Sequence, residues 1–366
     1  MRAKLEDVCV RGSSNLKQSD VIDKTGEYPI YGAAGYIGNV DFYHQDQPYV
    51  AVVKDGAGIG RTSLYPAESS VIGTMQYLLP KENVLPEYLC YVVKYMHLEK
   101  YFTGATIPHI YFKDYKKEEF NLDTLDRQKE IVNILGRIEC VISSRQQELQ
   151  KLDELIKARF VELFGDPDNN EKSWDIDKME HLCEVGSSKR IYQNEQSMEG
   201  APFLRISDLV NRIDTGSKKC DSYIPIEKFA ELKEQGLVPR PGDILLTARG
   251  TLGRCYIVQS DDEFYFQDGM ITWLSNYDRR ITALYISYLF EMPGFRKQID
   301  ALQAGSTVAY MSISMTKKLN IIVPPIELQN QFADFVKQVD KSKVAVQKAL
   351  DETQMLFDSL MQKYFG

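Results

Sequence analysis

The chain has 366 residues, of which 43% are hydrophobic and 26% are charged, proportions that are ordinary for a soluble globular protein. Its net charge of −8 disfavours a protein that binds nucleic acid with its whole surface, so phosphate binding would need a local basic patch or a basic partner. The sequence has no apolar run long enough to span a membrane and no apolar signal core at its N-terminus, and it therefore predicts a cytoplasmic protein.

Metal and disulfide chemistry are also disfavoured. The six cysteines are scattered along the chain and form no Cys-x-x-Cys pair. The four histidines, His44, His97, His109 and His181, show no spacing typical of a metal site. We expect reduced thiols and no metal.

The first notable element is a glycine-rich loop between two predicted strands, in the sequence VVKDGAGIGRTSLY (residues 52–65). Its glycines suggest a phosphate-binding loop, but Gly56, Gly58 and Gly60 fit neither the P-loop spacing nor G-x-G-x-x-G. A similar stretch, DILLTARGTLGRCYIV (residues 243–258), occurs in the second half of the chain. In both, a strand leads to a basic residue, a glycine turn, Gly-Arg and another strand.

The two stretches belong to an internal repeat. Gly60-Arg61 matches Gly253-Arg254, TMQYLL matches GMITWL, YLCYVV matches YISYLF, and TGATIPHI matches AGSTVAYM. The number of residues between matching positions of the two copies changes through the front of each copy. It then stays constant to the end, where ELFG matches KYFG. Insertions therefore accumulate in the front of each copy, and the tail is under geometric constraint.

Each tail is predicted to be a long helix, the first over about residues 126–164, which is roughly 58 Å at 1.5 Å per residue. Apolar residues recur at alternating spacings of four and three, which is the pattern of a coiled-coil seam. The seam positions are Ile131, Leu135, Ile138, Ile142, Leu149, Leu152 and Ile156 in the first tail, and Phe332, Val336, Val339, Val346, Leu350, Phe357 and Leu360 in the second. Polar residues interrupt the seams at Arg145, Arg159 and Lys343, where they either fix the register or mark looser pairing.

Each long helix could pack against its own globule, but the two seams share length, register and polar breaks, which favours pairing of the helices with each other. With antiparallel pairing, the order globule, helix, globule, helix predicts an α+β protein with two tandem mixed α/β globules, separated by two long helices paired as an antiparallel coiled coil. Such a molecule would have a pseudo-two-fold axis. Duplex DNA has local dyads of its own, and two different globules could read two different half-sites at a fixed separation.

Over essentially its whole length, the chain resembles the DNA-specificity (S) subunit of type I restriction–modification systems. In the first half, the resemblance rests on YPIYGAAGYIGNVDFY, VVKDGAGIGR and TGATIPHIYFKDYKKEEFNL. In the second half, it rests on APFLRISDLVN, DILLTARGTLGR and AGSTVAYMSISMTKKLNIIVPPIELQNQF. The first copy departs from the pattern at LDTLDRQKEI, which lacks the Pro-Pro before the helix although Gln128 matches Gln329. The family pattern therefore does not define the start of the first helix.

The resemblance implies a target recognition domain at residues 1–122, a central helix at 123–166, a second target recognition domain at 174–324 and a C-terminal helix at 325–366. Each target recognition domain would read one half of a bipartite sequence in double-stranded DNA. The helices would set the spacing and dock two methyltransferase subunits, which bind S-adenosylmethionine and methylate adenine, and a motor-nuclease subunit would join for restriction. The chain itself would have no catalytic site and no cofactor, and it contains neither a methyltransferase Asn/Asp-Pro-Pro-Tyr/Phe tetrapeptide nor a Walker lysine.

Base reading favours Arg or Lys for guanine and Asn or Gln for adenine, carried on loops beside rigid strands. The candidates for DNA contact lie in the glycine loops, in the loops of the Thr-Gly and Ala-Gly motifs, and at the entry segments. They are Tyr31, Lys54, Arg61, Thr106 and His109 in the first copy, and Arg205, Arg249, Arg254, Ser306, Thr307 and Tyr310 in the second. For each arginine, a surface salt bridge or phosphate contact is the competing interpretation; for His109 and Tyr310 it is a core or rim role.

Two other functions are compatible with the sequence. One is a structural adaptor whose globules bind protein or RNA, with the helices as a spacer. The other is an enzyme that uses KDGAGIGR as a phosphate loop.

Overall fold

The computed structural model describes residues 1–21, 23–103, 108–301 and 309–366. They form two compact units, Met1–Glu148 with Val346–Gly366, and Leu149–Ala345. Each unit thus combines one globule with parts of both long helices, whereas the sequence prediction gave the helices segments of their own. No helix in the described ranges is long and apolar enough to cross a membrane.

The first unit is α+β and begins with short strands and helices. In chain order they are β1 (Arg2–Lys4), α1 (Leu5–Val8), β2 (Cys9–Ser13), β3 (Tyr28–Gly32), β4 (Gly35–Val40), β5 (Tyr49–Val53), β6 (Thr62–Tyr65), β7 (Ser70–Val71), β8 (Met75–Pro80), α2 (Pro86–Tyr95), α3 (Phe112–Tyr115) and β9 (Glu119–Asn121), with 3-10 helices at Gln18–Asp20 and Leu98–Tyr101. The long helix α4 (Leu125–Phe164) follows and continues into the second unit.

The second unit has the same kinds of element, with three more short α-helices than the first in the described ranges. In chain order they are β10 (Asp175–Lys178), α5 (Met179–Leu182), β11 (Glu184–Gly186), β12 (Ala201–Leu204), α6 (Ile206–Thr215), β13 (Tyr223–Ile224), α7 (Ile226–Glu234), β14 (Ile244–Thr247), β15 (Cys255–Ile257), β16 (Tyr265–Phe266), β17 (Ile271–Ser275), α8 (Ala283–Glu291), α9 (Pro293–Ala301), α10 (Ile313–Lys317) and β18 (Asn320–Val323), with a 3-10 helix at Gln193–Glu195. The long helix α11 (Ile326–Phe365) ends in the first unit.

A four-stranded antiparallel sheet is built twice with the same strand order, β2-β8-β5-β6 in the first unit and β11-β17-β14-β15 in the second. The register is also equivalent, since Val53 pairs with Met75 and Thr247 pairs with Ile271. Every residue of β5 is fully buried, which explains why this strand is a continuous apolar run rather than an alternating one.

A smaller three-stranded sheet is also repeated, as β4-β3-β7 and β13-β12-β16. In each, the central strand pairs antiparallel with one neighbour and parallel with the other. The two copies differ in how the antiparallel strands are connected. Ala33 and Ala34 form a tight turn between β3 and β4, whereas the whole of α6 lies between β12 and β13.

The two long helices begin at the same repeat position, α4 at Leu125 and α11 at Ile326. A buried glutamine in the first turn makes the same contacts in both. The side chain of Gln128 accepts from the Leu85 amide at 2.8 Å and donates to two backbone carbonyls, and Gln329 accepts from the Thr282 amide at 2.9 Å and also donates to two. The missing Pro-Pro therefore does not shift the start of the first helix, because the glutamine fixes it.

Within each unit, α4 and α11 pack against each other in opposite directions. In the first unit, Ile131 and Leu135 near the start of α4 share a core with Met361 and Phe365 near the end of α11. In the second unit, the end of α4 meets the start of α11, with the Phe160 and Phe332 rings 5.5 Å apart. The predicted fold class, α+β with two tandem globules and an antiparallel helix pair, is confirmed.

The predicted seam residues lie on the paired faces of these helices. Ile131, Leu135, Ile156, Phe332, Val336 and Val339 are buried, and Ile138, Ile142, Leu149, Leu152, Val346, Leu350, Phe357 and Leu360 are half-buried. The polar residues in the seam also make contacts. Arg145 donates to the Ala349 carbonyl and the Thr353 hydroxyl in the first unit, and Lys343 forms an ion pair with Asp153 in the second. Arg159 lies over the Phe335 ring, at 5.7 Å from its centroid.

Aromatic contacts anchor the end of each long helix to the globule of the opposite repeat copy. The Phe365 ring at the end of α11 packs on Tyr88 of α2, with centroids 5.2 Å apart. The equivalent pair is Phe164 at the end of α4 and Tyr285 of α8, with centroids 4.9 Å apart. Both tyrosine hydroxyls donate to a backbone carbonyl close to the start of the other long helix.

Candidate nucleic-acid interface

The two glycine loops connect equivalent strands, β5 to β6 in the first unit and β14 to β15 in the second. Each loop is closed by one hydrogen bond of 2.9 Å, from the Gly60 amide to the Val53 carbonyl and from the Gly253 amide to the Thr247 carbonyl. Gly60 and Gly253 have φ of +81° and +68°, a conformation that favours glycine over residues with a Cβ. These two glycines are therefore required by the loop conformation.

The backbone contacts at the start of each loop give the correspondence between the copies. Lys54 donates to the Thr74 carbonyl and accepts from Ile110, and Ala248 makes the equivalent pair of contacts. Arg249 is therefore the counterpart of Asp55. If the basic residues of the two glycine motifs are matched by sequence, Arg249 is instead paired with Lys54, which is wrong by one residue. The first loop has one more residue than the second between this point and its closing glycine, and an ungapped alignment hides that insertion.

The counterparts Asp55 and Arg249 contact the same position of the following segment. His109 Nδ1 lies 2.6 Å from Asp55 Oδ1, and the Arg249 guanidinium lies 5.3 Å from the centroid of the Tyr310 ring. Lys54 is also close to Asp55, with its Nζ 3.4 Å from Oδ2. The first loop thus combines a carboxylate with two basic groups, whereas the second presents an exposed arginine on an aromatic ring. The two loops differ in charge on a shared backbone.

The second arginine of each motif connects its loop to the small sheet. Arg61 Nη1 donates to the Ala33 carbonyl at 3.0 Å, in the turn between β3 and β4. Arg254 Nη2 forms an ion pair of 2.5 Å with Asp214 of α6. This hydrogen bond lowers the pKa of the Asp214 carboxyl and raises the pKa of the Arg254 guanidinium. Both arginines therefore hold the segment that joins the first two strands of the small sheet.

The remaining described candidates lie at the small sheets. The Tyr31 ring stacks on Tyr65 with centroids 3.8 Å apart, and burial raises the pKa of the Tyr31 hydroxyl. Arg205 is exposed at the start of α6, where its amide donates to Asp208 Oδ2 at 2.8 Å. The candidates Thr106, Ser306 and Thr307 lie outside the described residues.

The first glycine loop is poorly arranged to hold a phosphate. The amides of Gly56, Ile59, Gly60 and Arg61 all donate to backbone carbonyls, so they do not form the converging set of free donors that a phosphate loop presents. Lys54 lies beside a carboxylate. Over the described part of the chain, no three His, Cys, Asp or Glu side chains are grouped to hold a metal ion.

Sequence reasoning missed the role of α6. Its Arg212 is buried and pairs with Asp262, whose side chain is fully buried, with Nη1 and Oδ1 3.0 Å apart. The Arg212 guanidinium also lies 4.9 Å from the centroid of the Phe264 ring. Burial opposes ionisation of Asp262, but hydrogen bonds from Tyr256, the Gln259 amide and Lys218 prevail and lower the pKa of its carboxyl. An arginine in a helix normally indicates an exposed face; the signal in the sequence was the extra length of the second copy between its first two small-sheet strands.

Comparisons with known proteins agree with this architecture. The family model described as the type I restriction modification DNA specificity domain matches residues 1–154 and 171–353. A putative type I restriction enzyme specificity subunit of Haemophilus influenzae is 25% identical over 86% of this chain and 81% of its own length. A specificity subunit of a type I restriction enzyme of Methanocaldococcus jannaschii is 22% identical over 82% of this chain and 76% of its own length.

Solved structures show the same fold. The crystal structure of a type I restriction-modification S subunit from M. genitalium superposes with a TM-score of 0.60 at 15% identity, covering 100% of this chain and 96% of that one. A chain from a study of assembly and conformational transition in a type I restriction–modification system gives 0.58 at 13% identity, covering 100% of this chain and 97% of that one. The family match spans both repeat copies and most of both long helices, and the chain therefore belongs to the family of DNA-specificity subunits of type I restriction–modification systems.

Proposed function

We propose that this chain reads a bipartite DNA sequence, with each globule recognising one half-site and the paired helices setting the distance between them. The helices would also dock two adenine methyltransferase subunits that bind S-adenosylmethionine, and motor-nuclease subunits would join the complex for restriction. In this proposal the chain supplies specificity and the other subunits supply the chemistry.

The observation that carries this proposal is that the two globules share the same sheets and glycine loops but carry different side chains at those loops. The four-stranded sheet and the small sheet have the same strand order in both units, and equivalent hydrogen bonds close the two glycine loops. The groups presented there differ: Asp55 with His109 in one unit, and Arg249 with Tyr310 in the other. A shared frame would place both globules on DNA in a similar way, while different side chains at the tips would read different bases.

Charge supports a division of labour with partner subunits. Residues 1–122 contain 13 Lys and Arg against 15 Asp and Glu, and residues 174–324 contain 18 against 20. Most protein–DNA hydrogen bonds are made to the sugar-phosphate backbone of the DNA. Neither block has the excess of basic residues needed to neutralise many phosphates alone. Basic partner subunits would therefore supply much of the phosphate binding, and we expect weak DNA binding by the isolated chain.

The test is a single-molecule methylome of a host that carries the partner genes, with and without the gene for this chain. The expected result is the loss of one split methyladenine motif on deletion, which would also reveal both half-sites. A motif that persists, or a complex that assembles and methylates without a split motif, would contradict the proposal. Binding of the isolated chain to a protein or RNA, with no bipartite footprint in the presence of a methyltransferase partner, would favour the adaptor function instead.

A further inference from the structure

The helix α6 lies at a point where the two globules differ in the connection between equivalent strands. In the first unit a tight turn of two small residues connects β3 to β4, and in the second unit the equivalent connection, between β12 and β13, contains a helix of ten residues. The equivalent arginines, Arg61 and Arg254, hold these two different segments. The equivalent arginine is thus present in both units, but the segment that it holds is a turn in one unit and a helix in the other.

Three contacts fix α6 to this frame. Leu209 packs in the core beneath the small sheet, Arg212 makes the buried ion pair with Asp262, and Asp214 binds Arg254 of the glycine loop. Two of these contacts are charged pairs of defined geometry. A helix held in this way has a fixed rotation about its axis, so the residues on its outer face are pre-positioned.

That outer face is polar. Ser207, Asn211 and Asp214 follow one another at spacings of four and three, which puts them on one side of the helix, and all three are exposed. Asn211 accepts a hydrogen bond from Thr215 at 3.4 Å, while its amide nitrogen makes no hydrogen bond to any residue in the described ranges. The exposed side chains of Arg205 and Lys219 flank the two ends of the helix.

These features match what base reading requires. The major groove of B-DNA admits an α-helix, and Asn forms two hydrogen bonds with the edge of adenine, one as donor and one as acceptor. Asp214 on this face is already paired with Arg254, and the basic residues at both ends of the helix avoid repulsion by the flanking phosphates.

We infer that α6 is the base-reading element of the second globule, that it enters the major groove, and that Asn211 reads an adenine other than the methylated one. Arg254 and Arg212 are positioning residues that set its rotation. The turn between β3 and β4, with the exposed Tyr36 beside it, occupies the corresponding place in the first globule. This inference rests on the proposed function, because it names the element through which one half-site is read.

The test uses the purified complex with its methyltransferase subunits and measures methylation rates on duplexes in which each position of the second half-site carries each of the four bases. Asn211→Ala should reduce the preference for the cognate base at one position by about tenfold to a hundredfold, the range expected for a lost bidentate contact. Selectivity at the other positions, including the whole first half-site, should be unchanged. The matched control is Gln235→Ala, an exposed amide just after α7 that binds Glu231.

The possible outcomes separate the inference from the proposed function. Unchanged selectivity in Asn211→Ala overturns the inference, as does a uniform fall in rate on all duplexes, which is the behaviour of a phosphate contact. Either outcome leaves the proposed function standing, because the wild-type complex still methylates a split motif. A wild-type complex without selectivity for a split motif removes the proposed function, and the inference with it.

Discussion

At the scale of single residues, comparison of the two repeat copies shows which residues have the same structural role in both and which differ. Gly60 and Gly253 have the same conformation, and Arg61 and Arg254 serve the same attachment. Asp55 and Arg249 occupy one backbone position with opposite charge. The second arginine makes an equivalent structural contact in both copies, and its contact with DNA stays a prediction.

The pair Arg254–Asp214 can be tested by a charge swap. We expect Arg254→Asp and Asp214→Arg each to reduce selectivity at the second half-site by about fivefold, as for residues coupled by about 1 kcal/mol. The double variant should recover most of it, because the restored pair holds α6 again. The measurement is the ratio of methylation rates on cognate and substituted duplexes. Failure of the double variant to recover would mean that Arg254 contacts DNA itself.

The buried pair Arg212–Asp262 should matter for stability. Asp262→Asn leaves a buried guanidinium without its partner, and we expect the second unit to lose about 3–5 kcal/mol of unfolding free energy at neutral pH. Because folding lowers the pKa of Asp262, its contribution is complete above the pKa of an unfolded aspartate and is lost as pH falls through the folded value. The gap between wild type and variant should therefore narrow on acidification below about pH 4.

Tryptophan fluorescence is a suitable measurement for this effect. The chain has two tryptophans, Trp174 and Trp273, and both lie in the second unit. Urea unfolding followed by fluorescence thus reports on that unit. Asp261→Asn is the matched control, since Asp261 is exposed and pairs with Lys218. A gap that stays constant with pH would contradict the assigned role of Asp262.

At the scale of elements, the starts of the two long helices were predictable from the sequence. The insertion of α6 and the alignment of the two glycine loops were not. The constant offset of the tails predicted two helices that begin and end at equivalent positions, and the apolar spacing predicted their paired faces. Both signals come from local periodicity and self-comparison. The insertion of α6 and the one-residue shift in the glycine loops depend on hydrogen bonds between distant segments, which no local pattern reveals.

The buried glutamine at each helix start should be important for stability. Gln329→Ala removes the hydrogen bonds of the Thr282 amide and of the Arg280 and Pro324 carbonyls, and each buried group left unpaired costs about 1–3 kcal/mol. We expect a loss of about 3 kcal/mol or more in the unfolding free energy of the second unit, measured by tryptophan fluorescence in urea. The neighbouring exposed Asn330→Ala should have little effect, and equal effects of the two variants would argue against this role.

At the scale of the whole molecule, the helices are the elements that both units share. Each is 40 residues long, begins beside one globule and ends on an aromatic partner in the other unit. A change of length in one helix would separate a phenylalanine from its tyrosine unless the other helix changed equally. This requirement accounts for the equal lengths of the two helices.

The spacing role can be tested by adding one heptad to both helices, between Glu148 and Leu149 and between Ala345 and Val346, where each passes from one unit to the other. Seven residues lengthen a helix by about 10 Å, which corresponds to about three base pairs of DNA. The methylome of the variant should therefore contain the same two half-sites with a longer spacer. Unchanged spacing would show that the helices do not set it.

Independent recognition of the two half-sites by the two globules can be tested by replacing residues 1–122 with the equivalent block of a relative. One half of the methylated motif should change and the other half should stay, because each globule has its own core. A change in both halves would contradict independent reading.

The connection between the first two strands of the small sheet also has an evolutionary consequence. A turn of two residues and a helix of ten occupy the same place, and the two strands that they connect pair antiparallel in both cases. If this connection reads DNA, a lineage can acquire a new target by lengthening or replacing one surface segment, without passing through unstable intermediates. Selection on host defence could then act on a small cassette of residues while the duplicated scaffold remains under purifying selection.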